Sequence, residues 1–293
     1  MFGSISRSID LIKASLEVLK KDKEIMLFPV LTGITTILLL VSFIVPIVLL
    51  SPPSDEYGNI AVTEENSPLT PILILSLFAF YFLSYFIVIF FNVGLITCAH
   101  IRLNGGDPTV SDGLNNAFKN IGKIFVWALI AATIGLLLKT LQNAASGRNG
   151  RGGNFLAQIL VSAMGMAWSL LTFFVVPIMV FEGIGPFEAI KRSGELLKKT
   201  WGEQVVGGAS IGFIFFILMF FGGIVLIVPA IVLGNSLFIM IALVVFIIYV
   251  LALSILKASI EGIFNAALYI YAKTGKVPEA FEPNLVQNAF QKQ

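Results

Sequence analysis

Few residues in this chain can do chemistry, and most of those lie within or at the ends of long apolar stretches. His100 is the single histidine and Cys98 the single cysteine, two positions apart and so on different faces of a helix. Tyr85, Asn92 and His100 fall near one helical face. Such a stripe could line an aqueous path or pass a proton, because imidazole titrates near neutral pH. Asn92 has a plainer use as well, bonding a neighbouring helix within the membrane, with His100 in the headgroup zone. On the last apolar stretch Ser254, Lys257, Glu261 and Asn265 share a face. Arg102, Glu182, Lys257 and Glu261 stand where apolar runs end, and an unpaired charge at such a boundary is costly. Arg102 and Lys257 are therefore expected to pair with Glu182 and Glu261 in some combination, as a clamp between helix ends or as an inner gate. One histidine cannot build a histidine-rich metal site, and no P-loop, dinucleotide fingerprint, His-Glu-X-X-His or Gly-X-Ser-X-Gly elbow occurs. The chemistry expected is non-enzymatic, with no metal and no cofactor.

The elements that position these residues follow from composition. Hydrophobic residues make up 57% and charged ones 12%, about half the charged share of a soluble domain, so the chain belongs in a bilayer. A net charge of +2 without a basic tract gives no reason to expect nucleic acid. One cysteine excludes an internal disulfide. Uncharged runs predict six spans at about residues 25–50, 71–100, 122–142, 155–181, 205–233 and 236–257, in one membrane domain over 1–280 with a tail at 281–293. The first run is too long for a cleaved secretory signal and reads as a spanning helix. Nothing between Val205 and Leu256 is charged, far more than one crossing needs, so the chain must fold back near Pro229 and Gly234-Asn235. The last helix is expected to continue through Lys257 to Tyr271 and stop at Thr274-Gly275-Lys276. Ser51–Thr70 is an acidic loop and Asn143–Asn154 a flexible glycine-rich one.

Three amphipathic segments interrupt the apolar runs. Residues 4–23 place Ile5, Ile9, Ile12, Leu16 and Leu19 in one stripe, and a weaker segment carries Val110, Leu114, Phe118, Ile121 and Phe125. In the central one, Glu182–Glu203, Pro186 suits a first helical position and Ile190, Gly194, Leu197 and Trp201 form the stripe. These read as helices at a membrane surface, apolar stripe toward lipid. Lys20, Lys21, Lys191, Arg192, Lys198 and Lys199 are then candidates for binding anionic lipid. Of nineteen basic residues, all but Lys139, Arg148 and Arg151 fall on the N-terminal side of the membrane, which predicts cytoplasmic termini.

Laying the first segment over the central one, 178 positions on, matches Lys13, Ser15, Glu17, Leu19, Lys20 and Lys21 with Lys191, Ser193, Glu195, Leu197, Lys198 and Lys199. The plan is an all-α polytopic fold of three units, each a surface helix followed by a transmembrane hairpin. Phe2-Gly-Ser-Ile, KASLEVLKKDKEIMLFP, VPIMVFEGIGPFEAIKRS and LYIYAKTGKVPEAF resemble an uncharacterised, mostly bacterial family of six-helix membrane proteins. The central segment is also similar to the membrane domain attached to some glycerophosphodiester phosphodiesterases, whose catalytic domain has no counterpart here. The resemblance implies a membrane domain without an assigned activity, and it carries over no catalytic residue.

Two function classes fit. The first is an oligomeric pore or transport protein, with the surface helices as a collar. The alternative is a membrane-organising or accessory protein whose basic helices hold anionic lipid or a protein partner. The sequence leans to transport, because a small polytopic chain without a soluble domain has few other occupations.

Overall fold

The computed structural model describes residues 2–50, 70–147, 155–276 and 278; the side chains of residues 2–11, 47–50, 70, 71, 73 and 199–210 are outside the description. The acidic loop, most of the glycine-rich loop, Lys199 and Trp201 as side chains, and the tail at 281–293 therefore lie outside the described residues. The described chain is helical: α1 (Phe2–Lys21), a 3₁₀ turn (Lys23–Met26), α2 (Leu27–Leu50), α3 (Thr70–Leu103), α4 (Val110–Lys119), α5 (Ile121–Ser146), α6 (Phe155–Thr172), α7 (Val175–Phe181), α8 (Pro186–Val232) and α9 (Ser236–Thr274). Six stretches of it are long and apolar enough to cross a membrane, and this is an all-α polytopic membrane protein.

Two elements differ from the sequence reading. The central amphipathic helix is not a separate surface element: α8 runs without a break from Pro186 to Val232, 47 residues. At about 1.5 Å per residue it is some 70 Å long, more than twice a bilayer core, so a large part of it stands outside the apolar layer. No glycine or proline chemistry ends it near Gly207-Gly208, and the helix simply continues. The fourth span, by contrast, is broken. Pro177 has no N–H, which leaves the Phe173 carbonyl without its helical donor. Phe173 N–H turns back to Leu170, so the next amide, Phe174 N–H, also lacks a helical acceptor. Side chains from two other helices replace both bonds. Ser193 Oγ on α8 accepts from Phe174 N–H at 3.2 Å, and Asn265 Nδ2 on α9 donates to Phe173 O at 3.3 Å. Buried backbone groups need such partners.

The described residues cluster into two compact units, the first drawn from 2–30, 92–118 and 170–278 and the second from 31–91 and 119–169. In the first, the last parts of α3, α7 and α9 and the first part of α8 bury Ile96, Ile178, Leu196, Ile263 and Leu268 completely. α1 packs on α8 and α9, and α8 pairs with α9 as a hairpin. Phe28 fills the space left by Gly94 and Gly113, and Leu95 lies against Gly262. The second unit is tied by aromatic contacts, Phe82 and Phe86 against Phe125, Phe43 against Phe80 and Trp127 beside Trp168. Apolar residues along the spans, among them Leu38, Leu75, Phe216 and Ile248, are exposed, as a lipid-facing surface requires.

The three returning helices end alike. α3, α7 and α9 are each followed by a glycine with positive φ, Gly105 (83°), Gly183 (73°) and Gly275 (71°), and each glycine is followed three residues on by a buried proline, Pro108, Pro186 and Pro278. Only glycine enters the left-handed region cheaply, and proline then prevents the helix from resuming in the same direction. This triple Gly-x-x-Pro stop is a second sign of repetition, independent of the lysine-rich segments. The repeat holds in chain pattern more than in bonding. Ser193 bonds Phe174, whereas its sequence counterpart Ser15 is fully buried with no hydrogen-bond partner among the described residues.

Candidate functional site

Two charge networks join helices of the first unit. Glu182 follows the last residue of α7. Its Oε2 lies 3.4 Å from Arg192 Nε on α8. Its Oε1 accepts from Tyr269 OH at 3.1 Å and lies 3.8 Å from Lys273 Nζ, both on α9. Lys273 Nζ in turn donates to Tyr269 OH at 3.2 Å, and Arg192 Nη1 also meets Glu195 at 2.9 Å. Glu195 first, then Glu182, hold the Arg192 guanidinium above its ordinary pKa. The rings beside this network stack in series, His100 on Phe181 at 4.1 Å and Phe181 on Tyr269 at 5.7 Å. One carboxylate thus joins α7, α8 and α9, and an aromatic stack extends the contact to α3.

The second network is centred on Arg102, near the end of α3. Its Nε and Nη2 donate to the two carboxylate oxygens of Asp22, which is almost fully buried, and Nη2 also donates to Asp107. A two-pronged Arg–Asp pair fixes orientation as well as charge. It fastens the turn after α1 to the end of α3. Beside it α4 begins with a reciprocal cap: Thr109 N–H and Oγ1 donate to Asp112 Oδ2 at 2.9 and 2.7 Å, while Asp112 N–H reaches Thr109 Oγ1 at 3.3 Å. The Thr109 hydroxyl first, and its amide second, hold the Asp112 carboxyl below the usual carboxylate range.

The four-charge cluster read from the sequence is not formed. Arg102 pairs with Asp22 and Asp107, Glu182 with Arg192 and Lys273, and Lys257 with Glu261 four residues on in its own helix at 2.8 Å. The reason is length. α9 continues to Thr274, so Lys273 and not Lys257 lies at the end that meets Glu182. The clamp between helix ends exists, with other partners.

The remaining candidates scatter. Asn265 is the donor at the helix break. Tyr85 packs its hydroxyl over Gly135 in the second unit. Asn92 is half-buried on α3 and has no hydrogen-bond partner among the described residues. Lys20, Lys21, Lys191 and Lys198 are exposed and have no ion pair among the described residues, whereas Arg192 belongs to the Glu182 network. Sequence reasoning passed over Asp22, Asp107, Lys273, Tyr269 and Ser193. Only Lys273 carried a usable signal, being two residues before the Gly275 stop of a helix already expected to reach that far.

Residues 71–279 match DUF6159, a family of unknown function, and that range covers both networks apart from Asp22. The chain belongs to the DUF6159 family. No curated protein matches it. The match takes in five of the six spans of this DUF6159 chain and all three Gly-x-x-Pro stops.

Proposed function

We propose that this DUF6159 protein is a non-enzymatic integral membrane protein whose exposed lysines hold anionic lipid headgroups on the cytoplasmic leaflet. One observation carries the reading. Asp22, Glu182 and Arg192 are bound to each other or to neighbours, whereas Lys20, Lys21, Lys191 and Lys198 are exposed and have no ion pair among the described residues. Lysine stems reach outward and present a point charge suited to phosphate. Each such charge near an anionic leaflet contributes on the order of 1 kcal/mol. Membrane organisation, or support of a protein partner at that leaflet, is the role this serves.

The experiment is native mass spectrometry of wild type and of a variant with all four lysines changed to glutamine. The variant is expected to lose its preference for phosphatidylserine or phosphatidylglycerol over phosphatidylcholine, and unchanged selectivity would count against the reading. A pore or transport role, in an oligomer, is the second reading. The unpartnered Asn92 amide supports it, since a free polar group in a span is a functional candidate by default. Flux in liposomes that disappears with Asn92→Leu would favour transport.

A further inference from the structure

An amphipathic helix packed on a protein buries its apolar stripe, and the three amphipathic segments here do so only in part. α1 buries Ala14, Ser15, Val18 and Leu19, while Ile12 and Leu16 are half-buried; Ile5 and Ile9 lie outside the described side chains. α4 buries Gly113 and Ala117, leaving Leu114 half open and Phe118 58% exposed. The first turns of α8 bury Ala189, Ser193 and Leu196, leaving Ile190 and Leu197 half open. In each case the protein-facing row consists largely of small residues. In α4 and α8 it lies one residue, about 100° of rotation, from the apolar stripe. In α1 and α8 lysines with no ion pair among the described residues occupy another side, Lys13, Lys20 and Lys21 on one and Lys191 and Lys198 on the other. Each helix is therefore three-sided or nearly so, with a small-residue side on protein, an apolar side that protein covers only in part, and a polar side.

We infer that Ile12, Leu16, Leu114, Phe118, Ile190 and Leu197 are the faces by which the three helices enter the phospholipid interface, acyl chains covering the stripe that protein leaves open. This rests on the lipid-facing role of these helices proposed above, and it adds which side chains meet the hydrocarbon. The occupant is a bilayer surface on two grounds: on α1 and α8 lysines flank the stripe where phosphates would lie, and α1 and the first turns of α8 lead directly into spans. The small-residue row lets each helix sit close to its neighbour, as at Gly113, where the Gly94 carbonyl leaves no room for a side chain. The stripe is then held level with that packing and has no freedom to turn inward.

The test attaches an environment-sensitive fluorophore to single cysteines in the full chain, the native Cys98 being buried. Labels replacing Leu16, Phe118 or Leu197 sample the stripes, and labels replacing Glu17, Lys119 or Lys198 sample the polar sides. The vesicles are phosphatidylcholine, alone or with phosphatidylserine, and carry a lipid-borne quencher. Stripe labels are expected to be quenched severalfold more strongly than polar-side labels in both kinds of vesicle, and to resist an aqueous quencher. Equal aqueous quenching at all six positions would overturn the inference, as would stripe labels shielded from both quenchers by a second copy of the chain. Lipid quenching of the stripes without any preference for phosphatidylserine would leave the inference standing and sink the headgroup reading. Preference for phosphatidylserine with water-exposed stripes would do the reverse.

Discussion

Gly113→Ala is expected to destabilise the protein by about 1–3 kcal/mol, and Gly113→Val to prevent recovery of folded material. A Cβ at Gly113 would fall 2.7 Å from the Gly94 carbonyl oxygen and 2.9 Å from Cys98 Sγ, and would also strike the Phe28 ring. The ring could turn, but Gly94 O is backbone of α3, and moving it means moving the helix. α4 would have to lift, and the buried Ala117 with it. Gly122, on the neighbouring helix, is the matched control. Nothing lies within 4 Å of a Cβ there, so Gly122→Ala should be neutral or slightly stabilising through helix propensity. Thermal unfolding in detergent, followed by loss of monodisperse protein, separates the two.

Glu182→Lys should be nearly as damaging. It places a third cation between Arg192 and Lys273 and removes the acceptor of Tyr269 OH. Breaking a buried pair costs about 3–5 kcal/mol, and solvent at the partly exposed Arg192 and Lys273 reduces this to about 2–3. Lys273→Glu in the same chain should return part of the loss by restoring an opposite charge across α7 and α9. Glu261→Lys is the comparison, because the Lys257–Glu261 pair lies within one helix and is more than a third exposed on the glutamate side. Its loss should be within about 0.5 kcal/mol. Equal effects of Glu182→Lys and Glu261→Lys would mean that the inter-helix network contributes no more than a surface pair.

What the sequence showed, and what it hid, divide along physical lines. Spans are legible because bilayer thickness sets a minimum apolar length, and punctuation such as Pro186 and Gly275 fixed where α8 begins and α9 ends. The continuity of α8 was not legible, since a change from amphipathic to apolar composition looks the same whether the helix breaks or continues. The interruption at Phe173-Phe174 lies inside an uncharged run, where Pro177 was the sole hint, and its two stabilising side chains come from 19 and 92 residues away. Charge partners were guessed from depth, and depth misled because α9 extends well past Lys257. The partner of Arg102 was Asp22, 80 residues earlier, in the turn between α1 and α2. The surface helices were recognised by their apolar stripes, yet the structure packs the row beside each stripe, a choice made by small residues that carry little hydropathy signal.

Sidedness is the claim on which the rest depends, because the lysines can meet one anionic leaflet only if α1, the start of α8 and the end of α9 share a side of the membrane. Single cysteines replacing Lys20, Lys198 and Lys276, with one replacing Asn143 near the far end of α5, can be labelled by an impermeant maleimide in sealed right-side-out and inside-out vesicles. The account predicts that the first three react only from the cytoplasmic side and Asn143 only from the opposite side. Reaction of Lys20 and Asn143 positions from the same side, or of Lys20 and Lys276 positions from opposite sides, would contradict it.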